Sequence, residues 1–132
     1  MNNIKLPPPK APLVLSKTKT LYIEIAIAIN KFPRSAKYVL GHRIEQGFLD
    51  FLEILYTAQY QKIDEKLKSL YRLQIKLDTI SFLLTLAWEA KHLPHTAYKH
   101  YIEQSTEIGK MLGGWRKGVE LKIETPRIVQ GE

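Results

Sequence analysis

Apolar residues recur along most of this chain at alternating spacings of four and three, the interval that brings side chains onto one face of an α-helix. Leu21, Ile25, Ile29 and Phe32 form the first such stripe, on a helix predicted over residues 16–30 with Ser16 as its cap. Ile23, Ile25, Ile27 and Ile29 also alternate as a strand would, and isoleucine favours strands. Helix is the reading adopted, for consistency with the segments that follow. Phe32-Pro33 breaks the chain, because proline disfavours helix at the residue before it. Ser35 is expected to cap a second helix over residues 36–59, whose Ile44, Phe48, Phe51, Leu55 and Ala58 form a bundle seam. A third helix is predicted over residues 63–91, with Leu67, Leu70, Leu77, Leu84 and Trp88 inward. Leu93-Pro94 stops it, and Pro94, His95 or Thr96 starts a fourth helix that runs to about Gly118. Tyr98, Tyr101 or Ile102, Ile108, Met111, Leu112 and Trp115 make its apolar face.

Four long amphipathic segments joined by short breaks predict an all-α protein, an up-and-down four-helix bundle over residues 16–118. Residues 1–15 hold Pro7, Pro8, Pro9 and Pro12 and read as a proline-rich basic arm. Residues 119–132, with Pro126, read as a flexible tail. A chain of 132 residues is one domain on length and can bury a sufficient core without staples.

The chain has no cysteine, which excludes disulfides, thiolate nucleophiles and cysteine-ligated metal centres and fits a reducing cytoplasm, the expected location. The longest apolar stretch, residues 80–88, is interrupted by Ser81 and Thr85 and is too short for a membrane span, so no membrane partner is expected. The formal net charge of +7 is uneven, with +5 carried by residues 1–35. Such a balance suits a polyanionic partner, because each phosphate neutralised releases counterions; it also serves plain solubility.

Catalytic chemistry finds little support. Glu89-x-x-His92 matches half of a di-iron bundle motif, but such sites need a second unit and two further glutamates. His92, His95 and His100 straddle the Pro94 break at spacings that do not suit zinc. Glycine-rich phosphate loops, nucleophile elbows and paired carboxylates are absent from the sequence. No catalytic residue, metal ligand or cofactor is therefore expected.

The fourth helix holds Gly109, Gly113 and Gly114, each costing about 1 kcal/mol relative to alanine in a helix interior. Gly109 and Gly113 lie one turn apart, so with Gly114 and the inward Trp115 they are expected to mark close helix packing. A C-cap near Gly113 is the alternative. Gly41 and Gly47 invite the same tight-packing reading in the second helix.

Three runs in order, Asn30-Lys31-Phe32-Pro33-Arg34-Ser35, Leu40-Gly41-His42-Arg43-Ile44-Glu45-Gln46 and Ile108-Gly109-Lys110-Met111-Leu112-Gly113-Gly114-Trp115, carry a family likeness. Over residues 21–117 the chain closely resembles the accessory variability determinant of diversity-generating retroelements. That group lies within the wider family of four-helix-bundle proteins encoded in ribosomal RNA intervening sequences. The resemblance implies a homopentamer of four-helix subunits with a basic surface, binding a reverse transcriptase and its template-repeat RNA to support mutagenic cDNA synthesis. The alternative is an intervening-sequence-type interaction protein with no reverse transcriptase partner.

Basic residues one turn apart or clustered at helix ends are the candidate phosphate contacts: Arg34, Lys37 and Arg43; Arg72 and Lys76; Lys110, Arg116 and Lys117. Arg43 has an alternative role as an ion-pair partner of a neighbouring subunit. Among the tyrosines, Tyr56, Tyr60, Tyr71, Tyr98 and Tyr101 could stack on unpaired RNA or fill the bundle core.

Overall fold

The computed structural model describes residues 10–130, with side chains described over 13–124. Four helices account for nearly all of it: α1, Lys10–Ile29; α2, residues 34–58; α3, Ile63–Glu89; and α4, His95–Gln130. α1 packs on α2, α2 on α3, α3 on α4, and α4 closes back onto α1. This is the ring of sequential antiparallel neighbours that an up-and-down bundle requires.

α1 begins at Lys10, six positions ahead of Ser16, so the expected boundary was late. Pro12 falls within the first turn, where its missing N–H would have had no intrahelical partner. Leu21, Ile25, Ile29 and Phe32 are buried as the helical stripe requires. Ile23 and Ile27 face out, which removes the strand alternative. One polar side chain sits in this core: Thr18 is fully buried and its hydroxyl donates to the Val14 carbonyl at 2.8 Å, the back-bond that satisfies a threonine inside a helix.

α2 opens with Arg34–Ala36, passes through a π-helical stretch at Lys37–Gly41 and continues as regular helix over His42–Ala58. Its cap is Pro33, not Ser35, and no side chain caps it. The Pro33 carbonyl instead accepts from the Lys37 N–H at 2.8 Å. The π stretch brings the Gly41 backbone against α1: a Cβ there would lie 2.6 Å from Cγ2 of Ile29. Gly47 is nearly as constrained, with Cγ1 of Ile80 at 3.0 Å from such a Cβ. Ile44, Phe48, Phe51, Leu55 and Ala58 are all wholly buried.

α3 carries Asp64 and Glu65 in its first turn, where carboxylates complement the positive end of the helix dipole. Its core seam is fuller than the expected one. Leu73, Ile80 and Ala87 join Leu70, Leu77 and Leu84, whereas Leu67 and Trp88 are half-buried at the edge. The helix ends in a Schellman arrangement: the His92 N–H reaches the Ala87 carbonyl and the Lys91 N–H the Trp88 carbonyl, both at 2.9 Å. Lys91 takes the left-handed position, φ 68°, usually given to glycine.

α4 starts at His95 with the Tyr98 N–H bonded to the Pro94 carbonyl. It runs through all its glycines to Gln130, twelve residues past Gly118, and the expected end there is not observed. Val119 is buried and extends the seam of Ile108, Leu112 and Trp115. Tyr101 is the buried choice at the position where Ile102 was the alternative.

Candidate nucleic-acid interface

Antiparallel packing sorts the eight candidate basic residues into two groups at opposite ends of the bundle. The end where α1 stops and α2 starts also holds the α3–α4 turn. Arg34 and Lys37 sit there, with Arg43 just below, and Lys31 and Lys91 lie in the adjoining breaks. Aromatic rings underlie this end. Phe32 lies 5.4 Å from the His92 ring, and Trp88 stacks on Tyr98 at 4.5 Å with the planes 4° apart. The Tyr98 hydroxyl is shared with that of Thr85 at 2.8 Å.

The other group, Arg72, Lys110, Arg116 and Lys117, belongs to the N-terminal half of α3 and the C-terminal half of α4. Tyr98 and Arg116 are eighteen residues apart on α4, about 27 Å at 1.5 Å per residue. No single phosphate run reaches both ends by side-chain length alone.

Within the groups the charges differ in freedom. Arg34, Arg43, Arg72, Lys110 and Lys117 form no ion pair among the described residues. Lys76 is held by Asp50 of α2 at 3.7 Å, so part of its charge is already answered. Lys37 lies 5.9 Å from the centre of the Tyr38 ring. Arg116 places its guanidinium 5.3 Å from the centre of the Tyr71 ring, an attraction between cation and ring face. The Tyr71 hydroxyl donates to the Glu120 carboxylate. That bond, foremost, pushes the Tyr71 pKa above its ordinary value; desolvation and the Glu120 charge add to it, and Arg116 opposes.

Lys122 is a residue the sequence reading passed over, because the chain after Val119 was expected to leave the bundle. The continued α4 sets it beside Lys66, whose ammonium pKa is lowered by burial first and by the Lys122 charge second. Two like charges are thus gathered near the Arg72 end. Lys68, by contrast, makes only a solvent-exposed contact with Glu65 at 3.6 Å, a kind of pair worth little.

The histidines disperse: His92 contacts Phe32, His95 contacts Trp88 at 5.8 Å, and His100 meets Glu24 at 3.0 Å. Among the described residues no three His, Asp or Glu side chains gather as a metal site, and no helix is long and apolar enough to cross a membrane. The hollows are open grooves between α1 and α4. One of about 340 Å³ runs beside Ile27, Leu93 and Tyr101, and one of about 330 Å³ is lined by Leu13, Lys110, Met111 and Gly114.

The glycines of α4 stand differently from the expectation of close packing. A Cβ on Gly109 would make ordinary contact with Leu77 at 3.5 Å, and one on Gly113 would meet nothing within 4 Å. No neighbouring helix of this chain closes on Gly113. Gly113→Ala is accordingly expected to raise stability by up to about 1 kcal/mol through helix propensity. Urea unfolding checks this, and a loss of similar size would show that another surface does close on Gly113.

A family model described as bAvd-like matches residues 13–119. No curated protein and no solved structure matches the chain.

Proposed function

The chain belongs to the bAvd-like family, and we propose that it serves a diversity-generating retroelement by binding the template-repeat RNA and the reverse transcriptase that copies it. The family is of the accessory kind rather than the catalytic. In this reading the protein performs no chemistry, takes no cofactor, works in the cytoplasm as a homopentamer, and supports mutagenic cDNA synthesis by holding RNA and enzyme together.

The observation that carries the RNA half is the set of unanswered cations, Arg34, Arg43, Arg72, Lys110 and Lys117, on a chain of net charge +7. Phosphate contacts from such residues position RNA without reading its sequence. Lys37, Lys76 and Arg116 complete the proposed contact set. Arg116 is a cation already seated on an aromatic face, next to the exposed charge of Lys117.

Fluorescence anisotropy with template-repeat RNA at several salt concentrations tests this. Log affinity is expected to fall linearly with log salt, by about 0.7 to 0.9 for each phosphate neutralised. Affinity unchanged between low and physiological salt would contradict phosphate binding by these residues.

A further inference from the structure

Two stripes of exposed apolar side chains stand on opposite sides of the bundle. On α1, Ile23 and Ile27 are 57% and 59% exposed. They point directly away from the buried seam of Leu21, Ile25 and Ile29. On α3, Ile75 and Phe82 are 68% and 64% exposed and Leu86 continues their line. α1 and α3 are the diagonal pair of the ring, so their outer faces look in opposite directions.

The stripes also differ in charge. Lys19 and Lys31 flank the α1 stripe, and both are exposed with no ion-pair partner among the described residues. The nearby acid Glu24 is taken by His100. Asp78 and Glu89 flank the α3 stripe, equally exposed and unpaired. Lys19 and Lys31 are about 18 Å apart along the axis, and Asp78 and Glu89 about 16 Å, at 1.5 Å per residue.

The two faces stand at the same height. Glu24 meets His100, and Tyr98, two positions earlier on α4, meets Thr85. Because α4 is antiparallel to both α1 and α3, Glu24 lies level with the residues just before Thr85. That puts Ile23 at the height of Phe82, Ile27 at that of Leu86, Lys19 at that of Asp78 and Lys31 at that of Glu89. Since α1 and α3 run in the same direction, rotation about an axis along the bundle carries one face onto the other in this register.

We infer that the α1 face of one copy, Lys19-Ile23-Ile27-Lys31, docks on the α3 face of the next, Asp78-Phe82-Leu86-Glu89, in a head-to-tail contact. The inference rests on the self-assembly proposed above and adds the surfaces that make it. Each copy gives a different face to each neighbour, the arrangement that closes into a ring when the rotation allows. Burial of the isoleucine and phenylalanine side chains drives it, and the flanking charges select parallel register over antiparallel.

Light scattering on the full chain and two variants, Ile27→Glu and Phe82→Glu, tests it. Both side chains are exposed, so both variants should keep the helical circular dichroism of the parent. Each variant alone is expected at the monomer mass of 15.3 kDa. Mixed, they should form a one-to-one dimer at twice that mass, because the intact α3 face of one fits the intact α1 face of the other. Lys31→Glu and Glu89→Lys should each weaken assembly and together restore it. Parent oligomers with both single variants still at parent mass would overturn these faces while leaving self-assembly standing. A monomeric parent chain would overturn self-assembly itself.

Discussion

Phe48→Ala is expected to lower the unfolding free energy by about 3 to 5 kcal/mol, the range for deleting a buried aromatic ring. Phe48 is wholly buried in α2, and its ring lies 6.2 Å from that of Tyr22 on α1. The seam on either side of it is rigidly placed. The Gly41 backbone presses on Ile29 one end of the helix away, and Gly47 meets Ile80 of α3 immediately beside it. Neighbours held this way on two helices cannot collapse into the space the ring leaves, which puts the cost toward the upper part of that range. Domains commonly have only about 5 to 15 kcal/mol in hand, so the variant should unfold at much lower urea. Urea unfolding followed by circular dichroism gives the value. A loss under about 1 kcal/mol would mean that the site repacks freely and that Phe48 is not central to the core.

The second large effect concerns RNA. Replacing Arg72, Lys110 and Lys117 together by glutamine is expected to weaken binding of template-repeat RNA on the order of 100-fold at physiological salt. The estimate assumes one phosphate contact per residue. The same variant should flatten the slope of log affinity against log salt by about 2 to 3. These three are chosen because none makes an ion pair among the described residues, so removing their charge leaves no orphaned partner and the fold should stand. Lys76→Gln is the internal comparison. Its ammonium is already shared with Asp50, and its loss should move affinity by much less. Equal effects of Lys76 and Arg72 would show that the ion pair opens on binding. No effect of the triple variant would move the RNA site to the Arg34, Lys37 and Arg43 end.

The bundle was legible in the sequence because its seams are regular. Ile44, Phe48, Phe51, Leu55 and Ala58 hold one face with little competition, and all five are buried. α3 was read less fully because apolar residues surround it: Ile75, Phe82 and Leu86 face out while Leu73, Ile80 and Ala87 face in. Periodicity alone does not separate an inner stripe from an outer one when both are apolar. The helix ends were misplaced where proline and glycine were taken as stops. Pro12 is harmless in a first turn, and Gly118 is carried through by the burial of Val119 on the following turn. The π-helical stretch at Lys37–Gly41 has no sequence signature beyond a glycine. The basic residues themselves were evident, but their division between two ends depends on helix direction and neighbours. The seating of Arg116 between Tyr71 and Glu120 needed the structure as well, since forty-nine residues separate that hydrogen-bonded tyrosine and glutamate.

The central claim is that this protein joins RNA to a reverse transcriptase. Its most direct test is co-purification of the tagged full chain with the reverse transcriptase encoded nearest its gene, with and without the adjacent template-repeat RNA. A complex that forms and strengthens when the RNA is added is the predicted result. No association between the two folded proteins in the presence of that RNA would contradict the accessory role and favour an interaction protein of the intervening-sequence type.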